Sequence, residues 1–115
     1  MSDLPIINKT YELIKWYVPI LNRMPKDHKF GISDRIINRL YDLLEGFSEA
    51  RYDSEKLDKL NKLNAKIDIL RIFTRLLHDF NLFDDDRHKY AGNQINEIGR
   101  DLGGWVKQQK NIKSD

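Results

Sequence analysis

The feature that most limits how this chain can fold is its shortage of helix breakers, with three prolines and six glycines among 115 residues. Between them the apolar side chains recur at alternating spacings of three and four, and long unpunctuated stretches of that period fold as helices. The expectation is an all-α protein. Hydrophobic residues make up 40% and charged residues 33%, too apolar for a disordered tail and too polar for a membrane protein. A chain of this length has room for one core, so residues 1–115 are read as a single domain. There is no cysteine, so the fold must hold by packing alone, without disulfides or thiolate metal sites. No signal-peptide pattern opens the chain and no run of about 18 apolar residues occurs, which predicts an intracellular, cytoplasmic protein with no membrane partner.

Asp3 followed by Pro5 reads as an N-cap with proline in the first turn, and Ile7, Thr10, Ile14, Tyr17, Leu21 and Met24 carry the first helix. Pro19 inside that run is expected to kink the helix or end it early, because it removes a donor and its ring collides with the preceding turn. Met24 to Gly31 reads as the connection. Ser33 then caps a second helix with Ile36, Ile37, Leu40, Leu43, Leu44 and Phe47 facing inward. Asp84, Asp85 and Asp86 put negative charge at the start of the fourth helix, where the macrodipole favours it. Ile95, Ile98, Leu102, Trp105, Gln109 and Ile112 continue that helix to the end. Gly99 and Gly103, four apart on one face, are read as letting a facing helix or a ring such as Trp16 or Trp105 come close. The four helices, at about 4–23, 33–52, 54–80 and 85–110, are joined by short turns and must pack as an up-down-up-down antiparallel bundle.

The third helix carries two apolar stripes. Leu60, Leu63, Ile67, Leu70, Phe73, Leu77 and Phe80 make a core seam, and Ala65, Ile69, Ile72 and Leu76 run beside it. One stripe of about 100° is enough to face a bundle core. The second is either a broadened core side or a flank covered by another subunit, and on the latter reading Ala65, Ile69, Ile72 and Leu76 are the oligomer interface.

The net charge of +2 is too small to name a polyanionic partner, so placement has to decide. On the third helix Lys56, Lys59, Lys62, Lys66, Arg71 and Arg75 face Asp58 and Asp68, and the tail sets Lys107, Lys110 and Lys113 against Asp115. Lys59, Lys62 and Lys66 share a flank, while Arg71, Arg75 and His78 project opposite the apolar arc. Such a surface can track a phosphate backbone, or it is an ordinary solvated face with Asp68–Arg71 and Arg75–Asp79 pairs. Oligomerisation would concentrate the charge around a symmetry axis.

No glycine-rich phosphate loop, nucleophile context or metal-ligand spacing is present, so no cofactor, metal or catalytic residue is expected and the aspartates at 84–86 are read as helix-start charge. One catalytic alternative remains. Arg23 and His28, and Arg71 and His78, resemble the arginine–histidine signature of the higher eukaryote and prokaryote nucleotide-binding domain, whose chemistry would be that of a metal-independent ribonuclease.

Met24-Pro25-Lys26-Asp27-His28-Lys29-Phe30, followed by Asp34-Arg35-Ile36, resembles the first connection and second-helix start of the accessory variability determinant proteins of diversity-generating retroelements. Their relatives are four-helix proteins encoded in intervening sequences of bacterial 23S ribosomal RNA. Ala50-Arg51-Tyr52, Leu70-Arg71-Ile72, Arg75-Leu76, Glu97-Ile98-Gly99-Arg100 and Leu102-Gly103-Gly104-Trp105 agree in order and spacing over nearly the whole chain. Phe30-Gly31-Ile32 is closer to the ribosomal branch. The helix-breaking Ile-Pro-Ser-Asn stretch usual there is replaced by Tyr41-Asp42-Leu43-Leu44-Glu45, which favours the retroelement branch. The position after His28 is usually arginine in that branch, and Lys29 keeps the charge without the bidentate geometry.

The resemblance implies a ring-shaped homopentamer of four-helix bundles that is not an enzyme. It implies binding to a reverse transcriptase and to RNA or DNA without strong sequence specificity, in support of mutagenic copying of a template RNA into cDNA. The candidate phosphate contacts are Lys59, Lys62, Lys66, Arg71, Arg75, Lys107 and Lys110, with Arg35 and Arg39 secondary. The alternatives are the ribonuclease, and a structural bundle of the ribosomal branch that binds only protein.

Overall fold

The computed structural model describes residues 4–114, with side chains to residue 112. Asp3 and Asp115 lie outside the described residues, as does the side chain of Lys113. Helix α1 (Pro5–Asn22) begins with proline in its first turn, where the missing N–H is no loss. It runs through Pro19 to Asn22, so the expected early end does not occur. Pro19 and Lys15, whose carbonyl loses its partner to the ring, both lie on the solvent face, where water can take the freed bond.

The second helix starts earlier than Ser33. One turn, α2 (Lys26–His28), leads through a π-helical turn (Lys29–Ser33) into α3 (Asp34–Ala50). Pro25 nucleates it: with φ fixed at −54° its carbonyl accepts from the N–H groups of His28 at 2.9 Å and Lys29 at 3.0 Å. Ser33 is therefore not a cap. Its φ of −63° and ψ of −46° are helical, and its side chain is buried.

After a turn in which the Asp53 carboxylate accepts from the Glu55 N–H at 2.9 Å, α4 spans Lys56–Asp79. Its end is a Schellman turn. Asn81 adopts φ 62°, the Leu82 N–H donates to Leu77 O at 2.9 Å, and the Asn81 N–H donates to His78 O at 3.0 Å. Asp84 then caps α5 (Asp85–Ser114), its carboxylate accepting from the Arg87 N–H at 2.8 Å, as its place at the helix start predicts. At 1.5 Å per residue the 30 residues of α5 extend about 45 Å, nearly the 51 Å length of the molecule.

The described residues are all helical or turn. Helix α1 packs on α3 and α5, and α4 packs on the same two, so α1 and α4 face each other across the diagonal of a four-helix bundle. Tyr17, Leu21, Ile36, Phe47, Leu60, Leu70 and Ile95 are among the side chains sealed in the core. The predicted seam of α4 is buried at Leu60, Leu63, Ile67, Leu70 and Leu77, but Thr74 takes an inward place, Phe73 is half-buried and Phe80 is 51% exposed. The second stripe is not a broadened core side. Ala65 is exposed, Ile69 and Leu76 are half-buried, and Ile72 is 52% exposed.

Candidate nucleic-acid interface

The lysine flank of α4 meets more carboxylates than its own helix supplies. Lys59 Nζ is 3.4 Å from Glu49 Oε2 and Lys66 Nζ is 3.5 Å from Asp42 Oδ2, both acids standing on α3, while Lys62 pairs with Asp58 at 3.3 Å. Arg39 shares Asp42 at 3.6 Å. The α3–α4 groove that holds these lysines is lined by Asp42, Glu45 and Glu49 as well. Each exposed pair contributes little to stability, about 0–1 kcal/mol, yet together they offset part of the charge on the flank that could track a phosphate backbone.

Arg71 and Arg75 lie elsewhere. They do not project away from the bundle but line a groove against α5, together with Thr74, His88 and Gly92. The guanidinium of Arg71 is held from three sides: Nη1 donates to Asp68 Oδ1 at 2.8 Å, Nε donates to Asn96 Oδ1 at 3.2 Å, and Nη2 lies over Gly99, where a Cβ would come within 2.5 Å of it. Gly99 therefore makes room for an arginine rather than for an aromatic ring. Gly103 and Gly104 are exposed with nothing near, so the expected close approach at Gly103 is absent. Arg75 is exposed and makes no ion pair among the described residues; the Asp68–Arg71 pair forms, and Asp79 meets His78 at 3.9 Å instead of Arg75.

His78, two turns beyond Arg71 on the same face, sits with Nε2 2.7 Å from Asp85 Oδ1, and its ring stacks on His88 at 4.4 Å. His88, Gly92, Asn96 and Gly99 recur at three- and four-residue intervals on α5, facing Arg71, Arg75 and His78. Neither Gly92 nor Asn96 stood out in the sequence, and His88 did so only as a neighbour of the aspartates at 84–86. Their signal was this shared period opposite the arginines, legible only once α4 and α5 are known to be neighbours.

The other candidates are dispersed. Arg35, Lys107 and Lys110 are exposed on α3 and α5. Arg23 opens on a hollow beside Arg87 at the end of the bundle, whereas the ring of His28 stacks on Phe80 at 5.7 Å. Among the described residues no group of three or more His, Cys, Asp or Glu side chains could hold a metal ion, and no helix is long and apolar enough to cross a membrane.

Among solved structures the chain is similar to a protein of unknown function from the S23 ribosomal protein family of Bacteroides thetaiotaomicron. The two share 18% identity over 89% of this chain and 95% of that one, with a TM-score of 0.80, which shows the fold. No curated protein matches the sequence. The model of the bAvd-like family matches residues 4–109, so the diagonal bundle, with its half-neutralised basic face and its arginine groove, belongs to the bAvd-like family.

Proposed function

We propose that this chain is a non-catalytic accessory protein of a diversity-generating retroelement. It assembles as a ring-shaped homopentamer and binds the reverse transcriptase together with template RNA or cDNA, with little sequence preference. The observation that carries the reading is membership of the bAvd-like family over residues 4–109. The partly uncovered stripe of Ala65, Ile69, Ile72 and Leu76 supports self-association, since a contiguous apolar flank is unfavourable in water until something covers it. Repetition around an axis multiplies the modest charge of each copy into a stronger field. In this reading Arg71, Arg75, Lys107 and Lys110 make the phosphate contacts, with Arg35 and Arg39 secondary. Lys59, Lys62 and Lys66 join only when a phosphate displaces Glu49, Asp58 and Asp42.

Light scattering at several concentrations, combined with retention of labelled RNA at low and high salt, tests the proposal. The expected result is a mass five times that of the chain, retention that falls steeply with salt, and intact RNA. Replacing Arg71 and Arg75 with alanine should weaken retention without unfolding the domain. A particle that stays single and leaves RNA unbound overturns the reading. Cleavage that disappears on His28→Ala would replace it with the ribonuclease.

A further inference from the structure

We infer that the groove between α4 and α5 is a seat for a terminal phosphate, the phosphomonoester at the end of a nucleic-acid strand. The inference rests on the nucleic-acid reading above and narrows it to one place. The groove measures about 250 Å³, with Arg71, Thr74 and Arg75 on the α4 wall and His88 and Gly92 on the α5 wall. None of its lining residues is acidic, in contrast to the α3–α4 groove with Asp42, Glu45 and Glu49.

Two of the donors are held in place. Arg71 is fixed by Asp68 and Asn96, and the ring of His88 stacks on His78, which Asp85 in turn holds at 2.7 Å. Asp68 and Asp85 are thus engaged by Arg71 and His78, while Arg75 and the His88 ring nitrogens have no partner among the described residues. Gly92 keeps the floor open: a Cβ there would meet nothing within 4 Å.

Charge selects the ligand. The groove has room for a phosphoryl group. A phosphomonoester carries up to two charges and three terminal oxygens, enough to accept from the Arg75 guanidinium on one wall and an imidazole on the other, beside the charge of Arg71. An internal phosphodiester offers only two such oxygens and one charge.

The test compares one RNA oligonucleotide with a 5′-phosphate and with a 5′-hydroxyl by fluorescence anisotropy. The phosphorylated strand is expected to bind about tenfold tighter, one charge-assisted contact's worth. The preference should disappear in Gly92→Leu, which fills the groove, and in Arg75→Gln, should the leucine disturb folding. Equal binding of the two strands overturns the inference and leaves the nucleic-acid reading standing; binding of neither overturns that reading. NMR of the histidine ring protons decides the pocket separately. AMP, but not adenosine, should shift His88. Silence with AMP rejects the site. Inorganic phosphate shifting His88 as strongly, with no preference between strands, assigns the groove to free phosphate and rejects the strand end.

Discussion

The Tyr17 hydroxyl lies 2.8 Å from the Thr74 hydroxyl, a buried hydrogen bond that ties α1 to α4 across the diagonal of the bundle. Both residues sit in a core built mainly of aliphatic and aromatic side chains, and each hydroxyl finds its partner in the other. Such a pair has one satisfied register. A slide of α4 by one turn would bury two polar groups without partners, which costs more than a slide of an apolar seam.

Removing one partner should therefore cost more than removing both. Tyr17→Phe leaves the Thr74 hydroxyl without its cross-bundle partner, and Thr74→Val leaves the phenol bare. Each is expected to destabilise by about 1–3 kcal/mol, and the double variant by clearly less than the sum. Urea unfolding of the four proteins measures the coupling. Strict additivity would mean that the two hydroxyls do not depend on each other.

Burial pushes the Tyr17 phenol well above the tyrosine range, and its hydrogen bond with Thr74 opposes the shift only in part. The folded state thus holds this proton after an unfolded chain would release it. Below the ordinary tyrosine value of about 10 both states are protonated and the contribution is complete. Above it the unfolded chain ionises, and stability falls as pH rises. Urea midpoints measured from pH 9 upward should decline more steeply for the wild-type protein than for Tyr17→Phe. Identical slopes would show that this phenol ionises alike in both states.

The helices themselves were legible, because apolar periodicity is a property of each segment taken alone. The seam through Leu60, Leu63, Ile67 and Leu70 and the acidic helix start at Asp84 needed no partner to be recognised. What stayed hidden needed two segments at once. Lys59 and Lys66 look bare along α4 and are paired once α3 brings Glu49 and Asp42 beside them. Arg71 was read as pointing away from the core, and α5 turns that face into a groove. Pro25 and Ser33 are a local error of a different kind. A proline that could have belonged to the connection starts the helix, and a serine that could have capped it is carried inside.

Asn81 accepts a left-handed backbone, φ 62°, to close the Schellman turn between α4 and α5. Asparagine tolerates that region better than alanine does, and glycine enters it without steric cost. Asn81→Ala should lower stability by about 1 kcal/mol and Asn81→Gly should be nearly neutral, read as shifts in thermal midpoint. A neutral alanine would mean that the turn relaxes to another geometry, which would also loosen the packing of Leu82 against the core.

The paired lysines allow a test that adds function instead of removing it. Asp42→Asn together with Glu49→Gln takes two negative charges from the α3–α4 face and frees Lys59, Lys66 and Arg39. The lost pairs are largely exposed, so stability should change by no more than about 1 kcal/mol for each. If a strand crosses this face, RNA affinity rises and the slope of log K against log salt steepens by roughly 0.7 for each phosphate newly contacted. If the strand is held at the arginine groove alone, long-range attraction lifts affinity slightly and the slope stays fixed. Slope, rather than affinity, therefore separates a contact from a field, and anisotropy titrations at four or five salt concentrations supply it.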